Sequence, residues 1–163
     1  MRRSIRLRGF DYTGPSTYFV TLVSANRLPC FASLKQGQAV LGPWGRIVKE
    51  EWLRSAEIRD YLELDAFVIM PDHLHAIVRF TRPSDLPAGL AHTGLYRPPR
   101  SLGSYIARFK ASCTRRINLL RGCTEPPIWQ RNYYETIIRN AAHLNRVRRY
   151  IEMNPIAAGR KPA

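Results

Sequence analysis

The segment at residues 64–80, LDAFVIMPDHLHAIVRF, limits the fold more than any other part of the chain. Two apolar runs of strand length flank the pair Pro71-Asp72. That pair suits a tight turn and would break a helix or a central strand. The segment is therefore read as a hairpin, or as two strands joined by a tight turn. Strand alternation then sorts the second run into two faces. Leu74, Ala76, Val78 and Phe80 share one face, which is read as core. His73, His75, Ile77 and Arg79 share the other.

Periodicity elsewhere supplies the partners for this hairpin. Residues 18–24, YFVTLVS, are aromatic and β-branched and read as a strand, and residues 26–41 read as a mixed connector with little regular structure. A helix is expected after Pro43, with Trp44, Ile47, Val48, Trp52 and Leu53 on one side. Residues 81–100 are rich in Pro and Gly and read as a long surface loop. Ser101 has the character of an N-cap for a helix burying Leu102, Ile106, Phe109, Cys113 and either Ile117 or Leu120, with Gly122 as its stop. A short strand is expected within residues 133–139. A last helix is expected from after Asn140 to about Met153, with Leu144, Val147 and Ile151 as its stripe. The order strand, helix, strand, strand, helix, strand, helix predicts an α+β fold of the ferredoxin-like split βαβ type. Two helices would cover one face of the sheet, leaving the histidine face for a site or for the last helix. The 163 residues suit one domain at 18–155, with a basic arm at 1–17 and a short tail at 156–163.

Charge narrows the partners. The formal net charge is +14, from 26 Lys and Arg against 12 Asp and Glu. Such a surface attracts phosphates, and its arginines suit bidentate phosphate contacts. Ribosomal and other RNA-binding proteins share this signal. Arg2, Arg3, Arg6 and Arg8 in the arm, Arg108, Lys110, Arg115 and Arg116 on the long helix, and Arg146 and Arg149 on the last helix are the candidate nucleic-acid contacts. No run of eighteen apolar residues exists, so no membrane partner is expected, and the N-terminal arginines precede no apolar signal core. Three cysteines at irregular spacing suit a reduced, cytoplasmic, nucleoid-associated protein.

His73-Leu74-His75 places two imidazoles on one face of a strand, where two ring nitrogens can converge on a divalent ion. A hydrogen-bonded surface pair gives the same pattern. Asp72 suits the turn, and equally an orienting contact to an imidazole. Tyr150 and Asn154 lie four residues apart on one helix face, with Arg146 one turn earlier. Asn154 offers a carboxamide oxygen as a third ligand. Tyr150 offers a phenolic oxygen, although a half-buried aromatic with its hydroxyl at the surface is the plainer reading. Tyr105, Tyr133 and Tyr134 are competing tyrosines, of which Tyr133 and Tyr134, in the strand region, read rather as core or substrate-stacking residues. Cutting a phosphodiester with a side chain needs an oxygen nucleophile, a Lewis acid at the phosphate and a held backbone.

Together these blocks are specific. VIMPDHLHAIV resembles the histidine–hydrophobe–histidine motif of the single-tyrosine HUH transposases, and IWQRNYYETIIRN with LNRVRRYIEMNP resembles their C-terminal signature. More narrowly, the chain resembles the transposases associated with repetitive extragenic palindromes (REP) in bacteria, from the Tyr18 strand to Pro155. The resemblance implies His73, His75 and Asn154 as ligands of Mg²⁺ or Mn²⁺. It implies Tyr150 as the nucleophile that forms a 5′-phosphotyrosine, and single-stranded or hairpin DNA as substrate. A catalytically silent hairpin-binding protein derived from a transposase is the alternative, and a monomer is favoured over a homodimer. Trp129 and Gln130 match the pair that precedes the last strand of the family. Tyr12, Tyr96 and Trp129 are candidates for stacking on bases. Thr136 departs from a histidine that many relatives carry after the acidic residue.

Overall fold

The structure is a computed structural model that describes residues 15–81 and 101–159. Arg2, Arg3, Arg6, Arg8 and Tyr12 of the arm, Tyr96 with all but one residue of the expected 81–100 loop, and residues 160–163 lie outside the described residues.

The elements in chain order are β1 (Ser16–Val23), a short helical turn at Ala25–Arg27, β2 (Ala32–Lys35), β3 (Gln38–Leu41), α1 (Pro43–Glu57), β4 (Leu62–Ile69), β5 (His73–Phe80), α2 (Leu102–Arg121), β6 (Tyr134–Ile138) and α3 (Ala141–Gly159). The main sheet has the order β4-β5-β1-β6, with every neighbouring pair antiparallel. This is the expected ferredoxin-like order, in which β1 lies beside β5 and the hairpin partner β4 sits at the edge. Pro71 and Asp72 make the turn between β4 and β5, and the Met70 amide closes it on the His73 carbonyl at 2.7 Å.

The two sheet faces behave as the alternation predicts. Leu74, Ala76, Val78 and Phe80 are all buried under α1 and α2. Trp52 of α1 is fully buried there, its ring 5.2 Å from Phe109 and 5.7 Å from Tyr105 of α2. The opposite face carries a smaller cluster in which Val147 and Ile151 of α3 pack on Ile77, with Phe19, Val68, Ile138 and Leu144 around them. The long stripe of α2 runs through Ile117, while Leu120 is exposed. Ser101 caps α2 by accepting the Ser104 amide at 3.3 Å, and Gly122 ends it in the left-handed region at φ 68°.

Four expectations are corrected. The connector at 26–41 contains a hairpin, β2–β3, closed by Gln36 and Gly37 at φ 50° and 75°. Positive φ at both central residues is the hairpin turn geometry that matches strand twist. Leu53 is exposed, because α1 turns that edge away from the sheet. The first strand begins at Ser16 rather than Tyr18, pairing Ser16 with Phe80. The last helix does not end near Met153: α3 continues through Pro155 to Gly159, with Ile156 against Gly37 of the hairpin.

Candidate functional site

The antiparallel register brings β1 and β5 together so that Val23 faces His73, Thr21 faces His75 and Phe19 faces Ile77. His73 and His75 therefore stand side by side on the face that α3 crosses, with ring centroids 4.4 Å apart. The Asp72 carboxylate accepts from His73 Nδ1 at 2.6 Å. Since a carboxylate only accepts, Nδ1 carries the proton, and the lone pair is left on Nε2. Thr21 Oγ1 lies 2.8 Å from His75 Nδ1. Asp72 thus acts on an imidazole as well as serving the turn, and its other oxygen meets Arg27 at 3.4 Å.

Tyr150 reaches the same place from α3. Its hydroxyl lies 3.3 Å from His75 Nε2. The tyrosine ring meets His75 edge-on at 5.2 Å and Phe19 edge-on at 5.9 Å. Half of Tyr150 stays exposed, so the phenol is held without being sealed off. The His75 tautomer with the proton on Nδ1 satisfies both contacts, donating to Thr21 and accepting from Tyr150. Burial holds His75 down at about 4, with His73 adding to the effect and Asp72 opposing it. The ring is therefore neutral near pH 7, the form that has a lone pair to offer.

Helix α3 is positioned by more than its apolar stripe. Asn140 caps it, accepting the His143 amide on its side-chain oxygen at 2.8 Å. Arg148 grips Asp65 of β4 with two bonds, 2.6 Å and 2.9 Å. Asp65 lies where the β4–β5 register shifts between Leu64 and Phe67. The Arg148 guanidinium lowers the Asp65 carboxyl below its ordinary range, and the Ala66 amide assists.

The donors suit a divalent cation. The His73–Asp72 bond leaves His73 Nε2 as an acceptor, and the Nδ1-protonated form of His75 does the same for its ring, where an ion would take the lone pair that here accepts from Tyr150. Among the described residues there is no group of three or more His, Cys, Asp or Glu able to hold a metal. Asn154, whose carboxamide oxygen is a donor of another type, lies partly buried one turn after Tyr150.

The expected nucleic-acid contacts divide. Arg108, Arg115, Arg146 and Arg149 are exposed. Lys110 and Arg116 are not free for phosphates. The Lys110 ammonium donates to the Gln130 and Asn132 carbonyls, both at 2.8 Å, and burial lowers it to about 8. Arg116 pairs with Glu50 and Glu51 of α1. Trp129 is buried against Phe31 and Phe109, so it packs the core rather than stacking on bases. Tyr105 is buried too, its hydroxyl 2.9 Å from Ser55. Thr136 faces Phe19 on the histidine face, and Tyr134 faces Thr21. Thr21 and Phe19 are the neighbours that the sequence alone does not name, and Tyr134, a competing tyrosine there, stands beside them. Only the β1–β5–β6 register identifies them.

No protein-family model matches the chain. An uncharacterised Haemophilus influenzae protein is 36% identical over 162 residues, covering 95% of this chain and 88% of that protein. Among solved structures, the chain is similar to a REP-associated tyrosine transposase bound to a REP hairpin. The TM-score is 0.65 at 21% identity, covering 94% of this chain and 74% of the other. That likeness establishes the fold, a mixed α+β architecture shared with the HUH tyrosine transposase.

Proposed function

The chain belongs to one family with the Haemophilus influenzae protein and has the fold of a REP-associated tyrosine transposase, and on that premise we propose that it is a metal-dependent endonuclease and strand transferase acting on single-stranded DNA with hairpin structure. The observation that carries the reading is the convergence of Tyr150 from α3 on the His73–His75 pair of β5, with the phenol 3.3 Å from His75 Nε2. Plain nucleic-acid binding has no use for a phenol held at a neutral, buried imidazole. That the fold neighbour is bound to a REP hairpin supports the choice of substrate.

His73, His75 and Asn154 would hold Mg²⁺ or Mn²⁺. The ion would supply Lewis acidity at the scissile phosphate, offsetting charge that builds on its oxygens. Asp72 and Thr21 orient the two imidazoles. The Tyr150 oxygen attacks phosphorus and forms a phosphotyrosine bond to the 5′ side. The bond to the 3′ oxygen breaks, and that oxygen leaves as a hydroxyl, taking the equivalent of the phenolic proton. The exchange is one phosphodiester for another, so attack by a 3′ hydroxyl on the phosphotyrosine rejoins a strand without ATP. Exposed Arg146 and Arg149 flank Tyr150 on α3 and are suited to hold the DNA backbone.

The test is incubation of labelled single-stranded hairpins, taken from repeats flanking the gene, with Mg²⁺ or Mn²⁺. The native protein is expected to form a denaturant-resistant DNA adduct that Tyr150→Phe does not form. Cutting that survives Tyr150→Phe would refute the nucleophile, and binding without cutting under either metal would leave a hairpin-binding protein.

A further inference from the structure

A groove of about 1010 Å³ lies between the outer face of α2 and the segment that returns to β6. Its charged lining is Lys110, Arg115 and Arg131 against the single carboxylate of Glu125, and Leu119, 78% exposed, provides apolar surface. The wall opposite α2 is tied down. Arg121 donates to the Cys123 and Pro126 carbonyls at 3.0 Å and 2.7 Å, and Lys110 holds the Gln130 and Asn132 carbonyls. Those two cations have protein partners. Arg115 and Arg131 are exposed and make no ion pair among the described residues.

The groove leads towards the tyrosine site. Gln130 bonds the Val23 carbonyl at 2.9 Å, and Trp129 bridges to Ser24, so this wall runs along the end of β1 that also pairs with His73. The chain then enters β6 at Tyr134, which faces Thr21 and is 58% exposed. Thr21 in turn faces His75. Tyr134 is thus two strands from His75 on the same face, about 10 Å at ordinary strand spacing. From Ala107 to Leu119 the groove follows about 18 Å of helix, the length of a few nucleotides.

We propose that this groove binds the single-stranded DNA flanking the cleaved phosphate, and that the strand passes around the β6 edge with a base stacked on Tyr134. The inference rests on the endonuclease reading above for its substrate. Cations on the two walls, Arg115 and Arg131, neutralise phosphates, and an exposed aromatic ring accepts any base, the combination that sequence-tolerant single-strand sites use. Charge alone would admit an acidic protein segment too, and what favours DNA is that Tyr134 continues the same path towards the reacting phosphate.

The test uses Tyr150→Phe protein, which is expected not to cut, and fluorescence anisotropy with four probes: (dT)12, a blunt DNA hairpin, and the same hairpin with an eight-nucleotide single-stranded flank on one side and on the other. A flank on one side is expected to raise affinity about tenfold over the blunt hairpin. Adding Arg115→Glu with Arg131→Glu should abolish that gain, weaken (dT)12 about tenfold, and leave the blunt hairpin within twofold. The salt slope for (dT)12 should fall by about 1.4, the value for two lost single-strand phosphate contacts. Tyr134→Ala should lose about fivefold on (dT)12 and Tyr134→Trp should not, as stacking requires. Unchanged (dT)12 affinity in the double variant, or an equal loss on the blunt hairpin, would overturn the groove. Parent affinity in Tyr134→Ala would overturn the path over β6. Because (dT)12 needs neither a hairpin nor cleavage, a failure here is separable from a failure of the endonuclease reading.

Discussion

At the scale of single residues, His75 is the most constrained group of the site. It is 7% exposed, sits between Thr21 and Tyr150, and is held neutral by burial at about 4. An ordinary unfolded histidine titrates near 6.5. The folded value is depressed, so its contribution to stability is present above the unfolded value and is lost as the pH falls from about 6.5 through about 4. The size is about 3 kcal/mol by linkage. Metal-free protein is expected to lose urea resistance across that window, and His75→Gln to lose distinctly less between the same pH values. Equal losses in the two proteins would assign the acid sensitivity to other groups. The two histidines were legible in the sequence because strand alternation is local and has a period of two. Thr21 was not, since it lies 54 residues from His75 and only the strand pairing joins them. Lys110 and Arg116 were misread for a related reason. A cation on a helix looks the same in sequence whether it faces solvent, a pair of carbonyls or two glutamates.

At the scale of elements, α1 shows how close packing fixes a position. A Cβ at Gly45 would stand 2.0 Å from the Phe31 carbonyl oxygen, which also accepts the Gly42 amide at 2.9 Å. Backbone on both sides leaves no flexible side chain to give way. Gly45→Ala is expected to destabilise by about 3 kcal/mol or more, the upper end of overpacking costs, despite its better helix propensity. Equilibrium urea unfolding measures this, and a change within 1 kcal/mol would show that α1 can retreat from Phe31. The helices and the four strands of the main sheet followed from apolar periodicity, while β2 and β3 did not. Each has four residues with only two partly buried positions, too few for alternation to rise above chance. The end of α3 was misplaced because Pro155 resembles a stop signal. A proline costs a helix one hydrogen bond and a steric clash. The contact of Ile156 with the Gly37 turn supplies tertiary packing beyond it, which local pattern cannot register.

At the scale of the whole molecule, the site and the main core lie on opposite faces of one sheet. The large cluster joins α1, α2 and the sheet, whereas the site face has a small cluster under α3. The imidazoles are positioned by β1, β5 and the Pro71-Asp72 turn, all of which hydrogen-bond without an ion. The fold should therefore not depend on metal, unlike small domains whose cores form around zinc. Protein treated with EDTA is expected to unfold cooperatively, with near-ultraviolet circular dichroism close to that of the loaded protein. Binding only to the folded state adds about 2.7 kcal/mol at a metal concentration one hundred times Kd. For a chain of this size that raises Tm by roughly 5–11 °C. The rise with Mn²⁺ should vanish in His73→Ala and in His75→Ala, and shrink in Asn154→Ala. Collapse of the fold in EDTA would make the ion structural. A full Mn²⁺ response in both histidine variants would remove the pair from metal binding, whatever the cleavage assay showed. A response lost in the histidine variants but intact in Asn154→Ala would keep the pair and assign the third position to another donor.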